Sequence, residues 1–261
     1  MNPDFGKTSS DYSKHRAGFP PSFFVRLRER GIGLSRQRIL DLGTGTGTLA
    51  RGFASAGAKV TGLDVSATQV EAAKALDAAA RVTIDYVIGH AENTGLPAAS
   101  FEIVIAGQCW HWFDSLSAMA ESARLLGMNG HLIICHFDWL PLSENMVEAT
   151  EQLIEAHNPA WKMAGGNGFH DQWALDATRA GFRNVDTFSY EHAQPYTHEA
   201  WRGRIRASAG VGGTLPPEGV ARFDADLADL LRTRFPAEPL LVPHRVFAMI
   251  ATRPAEADSA H

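Results

Sequence analysis

The sequence of 261 residues lacks several features that mark particular protein classes. It has only two cysteines, Cys109 and Cys135, without the spacing of metal ligands, so we expect two reduced thiols, no disulfide scaffold and no metal site. No stretch approaches the roughly 18 consecutive apolar residues of a membrane span, and residues 1–22 contain no apolar core of a secretion signal. These absences predict a cytoplasmic protein.

An excess of positive charge is also missing. The chain has 24 lysines and arginines against 29 aspartates and glutamates, which gives a formal net charge of -5. A protein without a basic field is poorly suited to gather nucleic acid or anionic lipid. We therefore expect a small-molecule partner, no nucleic acid or membrane partner, and a monomer or homodimer.

What the sequence does contain is an alternation of short apolar runs with helix-like segments. This alternation is typical of parallel βαβ units. Ser66 and Gln69 form a capping box that opens a helix through Leu76, and an apolar stripe from Leu116 to Leu126 predicts another before Gly127 and Gly130. The predicted strands are residues 39–42, 59–64, 82–88, 101–106, 131–136, 185–190 and 246–252.

The order of these segments predicts an α/β protein with a doubly wound, mainly parallel seven-stranded sheet and a helical cap. Residues 1–34 are assigned to an N-terminal lid and first helix, and 35–137 to a cofactor-binding α/β core. Residues 138–180 form a cap segment, 181–192 and 244–253 carry the last strands, and 193–243 are a helical cap insertion.

The strongest chemical signal is the stretch from Asp41 to Gly47, which ends a predicted strand and opens a predicted helix. Its glycines permit a tight turn and close approach of a ligand to the backbone, beside free helix N-terminal amides. Asp64 ends the next strand, where a carboxylate can accept hydrogen bonds from both hydroxyls of a ribose. The combination predicts an adenosine-bearing cofactor.

Two details favour one cofactor over a dinucleotide. Thr48 stands where a dinucleotide fingerprint has its third glycine, so the pattern is G-x-G-x-G rather than G-x-G-x-x-G. Asp41 would repel a pyrophosphate but suits a ligand that carries an ammonium and a sulfonium. S-adenosylmethionine carries both groups.

These residues resemble the class I S-adenosylmethionine-dependent methyltransferases over Arg38 to Phe137. The resemblance implies the Rossmann-like methyltransferase fold, S-adenosylmethionine as cofactor and S-adenosylhomocysteine as product. After the third strand, either His90 or Glu92 is expected to meet the adenine. The implied cofactor contacts are Tyr12, Arg16, Asp41, Gly43, Thr44, Gly45, Asp64, Val65, His90, Ala91, Glu92, Ala106 and Gln108.

The segment from Ala106 to Asp114 follows the fourth strand and lacks the Asn/Asp-Pro-Pro signature of nucleic-acid amine methyltransferases. Its aromatic and histidine residues are similar to those of small-molecule enzymes that include the trans-aconitate methyltransferases. The N-terminal pattern of Tyr12, Arg16, Phe19 and Pro20 is also similar, and in those relatives it forms a lid.

Several side chains are predicted to serve the methyl acceptor. His111 is either a general base or a residue that holds its loop by hydrogen bonds. Trp110 and Trp112 alternate with it, so one of the two belongs to the core. Arg202 or Arg206 could bind a substrate carboxylate bidentately, although three nearby arginines on one helix are commonly a solvated face. The predicted substrate contacts are Trp110, His111, His136, Arg202 and Arg206.

The expected activity is methyl transfer from S-adenosylmethionine to a small molecule, with a carboxylate as one acceptor. Two alternatives stay open: a nicotinamide-dependent oxidoreductase, which Thr48 and Asp41 disfavour, and a cofactor-binding protein without catalysis.

Overall fold

The computed structural model describes residues 18–253, and these contain one seven-stranded sheet. The strands are β1 (Arg38–Leu42), β2 (Lys59–Asp64), β3 (Asp85–Ile88), β4 (Phe101–Gly107), β5 (Leu126–Trp139), β6 (Arg183–Tyr196) and β7 (Leu240–Thr252). Their order is β3-β2-β1-β4-β5-β7-β6, and neighbouring strands from β1 to β5 pair in parallel. The predicted doubly wound α/β architecture is confirmed.

Eight α-helices follow the chain through the described residues. They are α1 (Pro21–Arg28), α2 (Thr48–Ser55), α3 (Ala67–Ala80), α4 (Ser115–Leu125), α5 (Met146–His157), α6 (Asp171–Arg179), α7 (His198–Arg206) and α8 (Pro217–Arg234). The side chain of Ser66 accepts the Gln69 amide at the start of α3, as the capping box predicts. No helix within residues 18–253 has the length and apolar character needed to cross a bilayer.

The strand order reverses between β1 and β4. Leu42 at the end of β1 lies beside Leu63 of β2 on one side and Ala106 of β4 on the other. A crevice opens at the carboxyl edge where successive connections leave in opposite directions, and ligands of open α/β proteins bind there. The glycine motif follows β1 directly, so the fold places it at this edge.

Several predicted boundaries differ from the structure. Helix α3 runs to Ala80 instead of Leu76, and Arg81, with a left-handed φ of 56°, ends it, so β3 starts at Asp85 and not at residue 82. Gly127 and Gly130 lie inside β5, because the backbone continues the sheet past a register shift opposite Phe101. Strands β6 and β7 are longer than predicted, so the ends of the segment assigned to a helical cap, 193–243, are strand.

The chain forms two compact units, each with its own core. The larger contains Phe19–His136, His170–Ser189 and the chain from Phe247, and its core includes Leu40, Val104 and Ile134. The smaller contains Phe137–Phe169 and Tyr190–Val246, and Trp201, Phe223 and Leu227 are fully buried in it. Helix α6 belongs to the larger unit, although the sequence assigned it to the cap segment 138–180.

Candidate functional site

The loop between β1 and α2 turns sharply at Gly43 and Gly47. Any other residue at either position would displace neighbouring atoms. Gly43 and Gly47 have φ of +62° and +74°. A Cβ atom on Gly43 would lie 2.8 Å from Cys109 Sγ, and one on Gly47 would lie 2.5 Å from the Tyr86 hydroxyl. The loop backbone is therefore held against its neighbours, and its conformation requires glycine at both positions.

A buried ion pair supports the loop from beneath. Arg51 Nη1 donates to the Thr46 carbonyl at 2.6 Å and to Asp77 Oδ1 at 2.9 Å. The Tyr86 hydroxyl donates to the other Asp77 oxygen at 2.9 Å. Burial raises the pKa of Tyr86, and the adjacent Asp77 carboxylate raises it further, so Tyr86 stays a donor. These contacts connect α2, α3 and β3 under the turn.

Asp64 is fixed at the mouth of the loop. Its two carboxylate oxygens accept the Gly45 amide at 2.8 Å and the Ser66 amide at 2.9 Å. A carboxylate has about four acceptor positions, so two backbone bonds leave capacity for a ligand at this partly exposed side chain. Val65 follows with 61% of its surface exposed, which supplies an apolar face beside the carboxylate.

Asp41 lies deeper and is only 1% exposed. Its Oδ2 accepts a hydrogen bond from the Thr44 hydroxyl at 2.7 Å. Burial raises the pKa of Asp41 to about 7, and the nearby negative charge of Asp64 acts in the same direction. Two carboxylates at one loop make the site attractive to a cation and unsuited to a pyrophosphate.

The turn after β3 contains His90 and Glu92, the two residues predicted as alternative adenine contacts. Ala91 is buried, and the partly buried Glu92 accepts the Asp114 amide at 3.0 Å, which ties this turn to the segment after β4. His90 is exposed and forms a bridge with Asn93. The adenine contact of either residue stays a prediction.

The segment after β4 divides its aromatic residues between core and surface. Gln108 has a left-handed φ of 60°, and its amide donates to the Cys135 carbonyl at 2.9 Å, so the chain turns abruptly after the buried Ala106. Trp110 is 1% exposed and packs on Phe113, whereas Trp112 is 42% exposed. The burial of Trp110 corrects its assignment as a substrate contact, because the core occupies its surface.

Three histidines of the larger unit gather at this edge. The ring centroid of His111 lies 5.3 Å from that of His136, which lies 4.7 Å from that of His170. His170 stacks on Trp173 at 4.0 Å with nearly parallel rings. The paired ends of β4 and β5 bring His111 and His136 together. His170 arrives from the residue before α6.

The arginines of α7 do not take the predicted arrangement. Arg202 and Arg206 both donate to the Asp224 carboxylate of α8, and Glu199 pairs with each of them. This occupation corrects their assignment as substrate ligands. Arg204 differs from both, because its guanidinium lies 4.9 Å from the Trp139 ring centroid. Sequence periodicity could have found it, because Arg204 lies three residues after the fully buried Trp201.

The predicted lid contacts Tyr12 and Arg16 lie outside the described residues. Of the two cysteines, Cys135 is buried, and Cys109 donates a weak bond from Sγ to the Leu42 carbonyl at 3.1 Å. Burial raises the pKa of Cys135, so it is an unreactive core thiol.

Comparison with known proteins gives a consistent result. Residues 40–134 match the family described as a methyltransferase domain. The chain is 32% identical over 132 residues to an uncharacterized methyltransferase of Mycobacterium tuberculosis, covering 51% of each. It is 27% identical over 224 residues to the malonyl-acyl-carrier-protein O-methyltransferase of Enterobacter lignolyticus, covering 83% of this chain and 80% of that protein.

A solved structure from Anaeromyxobacter dehalogenans superposes with a TM-score of 0.60 at 23% identity, covering 91% of this chain and 96% of that one. This likeness is one of fold. The chain spans about half the length of the first relatives that it matches, at 51% of each.

Proposed function

We propose that the protein is a class I S-adenosylmethionine-dependent methyltransferase that transfers a methyl group from S-adenosylmethionine to a small-molecule acceptor, and the match of residues 40–134 to a methyltransferase domain supports this. The observation that carries this proposal is the joint placement of Asp41 and Asp64 around one glycine loop. The nicotinamide alternative is disfavoured, because two carboxylates beside the loop would repel a pyrophosphate.

The residues around the glycine loop suit S-adenosylmethionine. The Asp64 carboxylate, already oriented by two backbone amides, is available to ribose hydroxyls, and the exposed Val65 offers apolar surface for the adenine. Glu92 offers a carboxylate to the adenine amino group, and Asp41 offers negative charge to the ammonium and sulfonium. The close contacts of Gly43 with Cys109 and of Gly47 with Tyr86 hold the loop backbone in its tight turn.

S-adenosylmethionine supplies a methyl group that its sulfonium has already activated for in-line displacement. The chain's own contribution is mainly to position the reactants. Asp64 and the loop amides orient the cofactor, while Gln108 turns the chain at the end of β4 and presents His111 at the same sheet edge. Trp110 and Phe113 pack behind this segment and stiffen it.

The acceptor that we favour is an organic carboxylate. An ionised carboxylate is nucleophilic without losing a proton, so this chemistry needs no base. The resemblance to trans-aconitate methyltransferases supports it, and so does the similarity to a relative named an O-methyltransferase of a malonyl group. Both similarities bear on the chemical class of the acceptor.

A hydroxyl acceptor is the second candidate, and the histidine cluster favours it. A phenol or alcohol must lose its proton during attack, and the imidazole of His111 could accept it. His136 contacts the His111 ring, and His170 contacts His136. Activity of the His111 variant separates the two acceptor classes.

The proposal is tested by S-adenosylhomocysteine binding to an Asp64→Ala variant. Losing the ribose hydrogen bonds to a charged acceptor should weaken binding by about 30-fold to 1,000-fold, or about 2 to 4 kcal/mol, in isothermal titration calorimetry. Asp85→Ala is the matched control. Asp85 is exposed and lies at the amino end of β3, whereas Asp64 lies at the carboxyl end of the neighbouring β2. Asp64→Asn keeps an oxygen for one loop amide and should show an intermediate loss.

Equal affinity in the parent and the Asp64→Ala protein would contradict the proposed cofactor site. Binding without formation of S-adenosylhomocysteine from S-adenosylmethionine in a metabolite mixture would favour a non-catalytic binder. Tight binding of reduced nicotinamide dinucleotide, followed by fluorescence, would restore the oxidoreductase alternative.

A further inference from the structure

Arg204 of helix α7 contacts the Trp139 ring, and Asp138 is the acidic residue whose charge acts on it. Its neighbours on the same helix, Arg202 and Arg206, share Asp224 and Glu199. The three arginines are therefore not equivalent: two of them connect α7 to α8, and the third does not take part in that network.

The surroundings of Arg204 are aromatic and largely uncharged. Its guanidinium lies over the Trp139 ring, and Tyr196 is a second aromatic side chain near enough to act on its pKa. Asp138 is the acidic group whose charge reaches it. Burial lowers the pKa of Arg204, and Tyr196 and Asp138 oppose that shift, so Arg204 stays a cation.

A second basic group in this region adds no positive charge. His244 is buried, its ring stacks on Phe137 with centroids 4.5 Å apart, and its Nδ1 lies 2.9 Å from the Val242 carbonyl. Burial lowers the pKa of His244 to about 4, and the Arg204 charge acts in the same direction. His244 is thus neutral at pH 7, with Nδ1 donating to Val242.

Trp139, the ring beneath Arg204, is itself held in place by hydrogen bonds and packing. Trp139 Nε1 donates to Glu151 Oε1 at 2.7 Å, and the second Glu151 oxygen accepts the Gly165 amide at 2.8 Å. Trp201 packs edge-on against Trp139 and donates its own Nε1 to Thr150. The Trp139 ring is therefore fixed before any ligand arrives, and so is the surface on which Arg204 rests.

We propose that Arg204, with Tyr196 and the Trp139 ring, forms a carboxylate-binding site within the smaller unit. Arginine offers a planar fork of donors that matches a carboxylate, and an aromatic face supports the guanidinium from one side. The Trp139 ring covers one face of the guanidinium, and the donors at its edge are the groups that would pair with a ligand carboxylate. The charge of Asp138 also acts on Arg204, so a bound carboxylate would compete with Asp138 for it. The inference concerns binding alone and does not depend on methyl transfer.

The test uses trifluoroacetate as a small carboxylate probe and trifluoroacetamide as its neutral counterpart. Binding to the full chain is followed by fluorine NMR, without cofactor, so failure of the proposed cofactor site would not affect the result. Trifluoroacetate should bind at least tenfold more tightly than the amide. Arg204→Met should abolish this preference, and Arg204→Lys should weaken it several-fold, because lysine keeps the charge and loses the fork.

Arg222→Met is the matched control, since Arg222 is an exposed arginine of the same unit, and it should bind the probe as the parent does. The unliganded Arg204→Met protein should unfold at the same temperature as the parent or higher. Equal probe affinity in the parent and Arg204→Met would overturn the proposal. So would equal binding of acid and amide, or a full loss of probe binding in Arg222→Met. If Arg204→Met fails to fold, the test rests on Arg204→Lys. A trifluoroacetate affinity of Arg204→Lys equal to that of the parent would then overturn the proposal.

Discussion

Replacing Asp41 with asparagine should change how the stability of the protein depends on pH. Asp41 is buried beneath the glycine loop, and burial raises its pKa from 3.8 to about 7. A carboxyl whose pKa is raised in the folded state holds its proton more tightly there than in the unfolded chain. Its favourable contribution is fully present below pH 3.8 and is lost as the pH rises towards 7.

The size of the effect follows from that shift. A difference of about 3 pKa units corresponds to about 4 kcal/mol, at about 1.4 kcal/mol per unit. Asparagine has nearly the same shape, its amide oxygen can keep the Thr44 hydrogen bond, and it does not ionise. Relative to the parent, Asp41→Asn should therefore gain unfolding free energy steadily between about pH 4 and 8, up to that order of magnitude.

Urea unfolding at about pH 4.5, 6 and 7.5 measures the difference directly. Glu121→Gln is the control of opposite sign. The hydrogen bonds of Glu121 with Arg124 hold its pKa down to about 2, so its contribution is present above pH 4.5 and is lost as the pH falls. That variant should be weaker than the parent at neutral pH, and its deficit should shrink in acid. An Asp41→Asn protein whose stability follows the parent at every pH would refute the assignment of a raised pKa to this buried carboxyl.

Two further predictions concern the loop and the acceptor. Gly31 and Gly47 have the same left-handed φ, near +75°, but a Cβ on Gly31 would meet nothing within 4 Å. Gly31→Ala should therefore lower the unfolding free energy by about 1 to 2 kcal/mol, and Gly47→Ala should lower it by at least about 1 kcal/mol more. Adding Tyr86→Phe to Gly47→Ala should recover part of that excess. Equal losses for the two glycine variants in urea titrations would argue against the tight packing of Gly47. His111→Ala should lower turnover only a few-fold if the acceptor is a carboxylate, whereas a loss of about 100-fold or more, with a parent activity that falls in acid, would indicate a hydroxyl acceptor and a histidine base.

The sequence predicted those parts of the site that depend on local order along the chain. The glycine loop, Asp64 and the Ser66 cap each come from a few adjacent residues, and all lie where the pattern placed them. Trp110 and Trp112 were undecided for the same reason: alternation shows that they differ in direction, but only packing against Phe113 and the sheet shows which one is buried.

Features that depend on distant contacts could not be predicted from local patterns. Arg202 and Arg206 find Asp224 on the next helix, 22 and 18 residues further along the chain, and nothing near them signals that partner. His170 joins His136 from a separate segment with no motif around it. The parts of β6 and β7 that lie beyond the predicted strands each contain a proline, Pro195 and Pro243, so they resemble loops until their neighbouring strands are known.

The ion pair of Arg51 with Asp77 has a consequence for the speed of ligand capture. Because Arg51 also holds the Thr46 carbonyl, the loop has its turn before any ligand arrives. A ligand that meets a preorganised loop loses little conformational entropy of the protein on binding, and no rearrangement delays its association. The rate of association should therefore be set by diffusion into the crevice, and differences in affinity among related ligands should appear in their residence times.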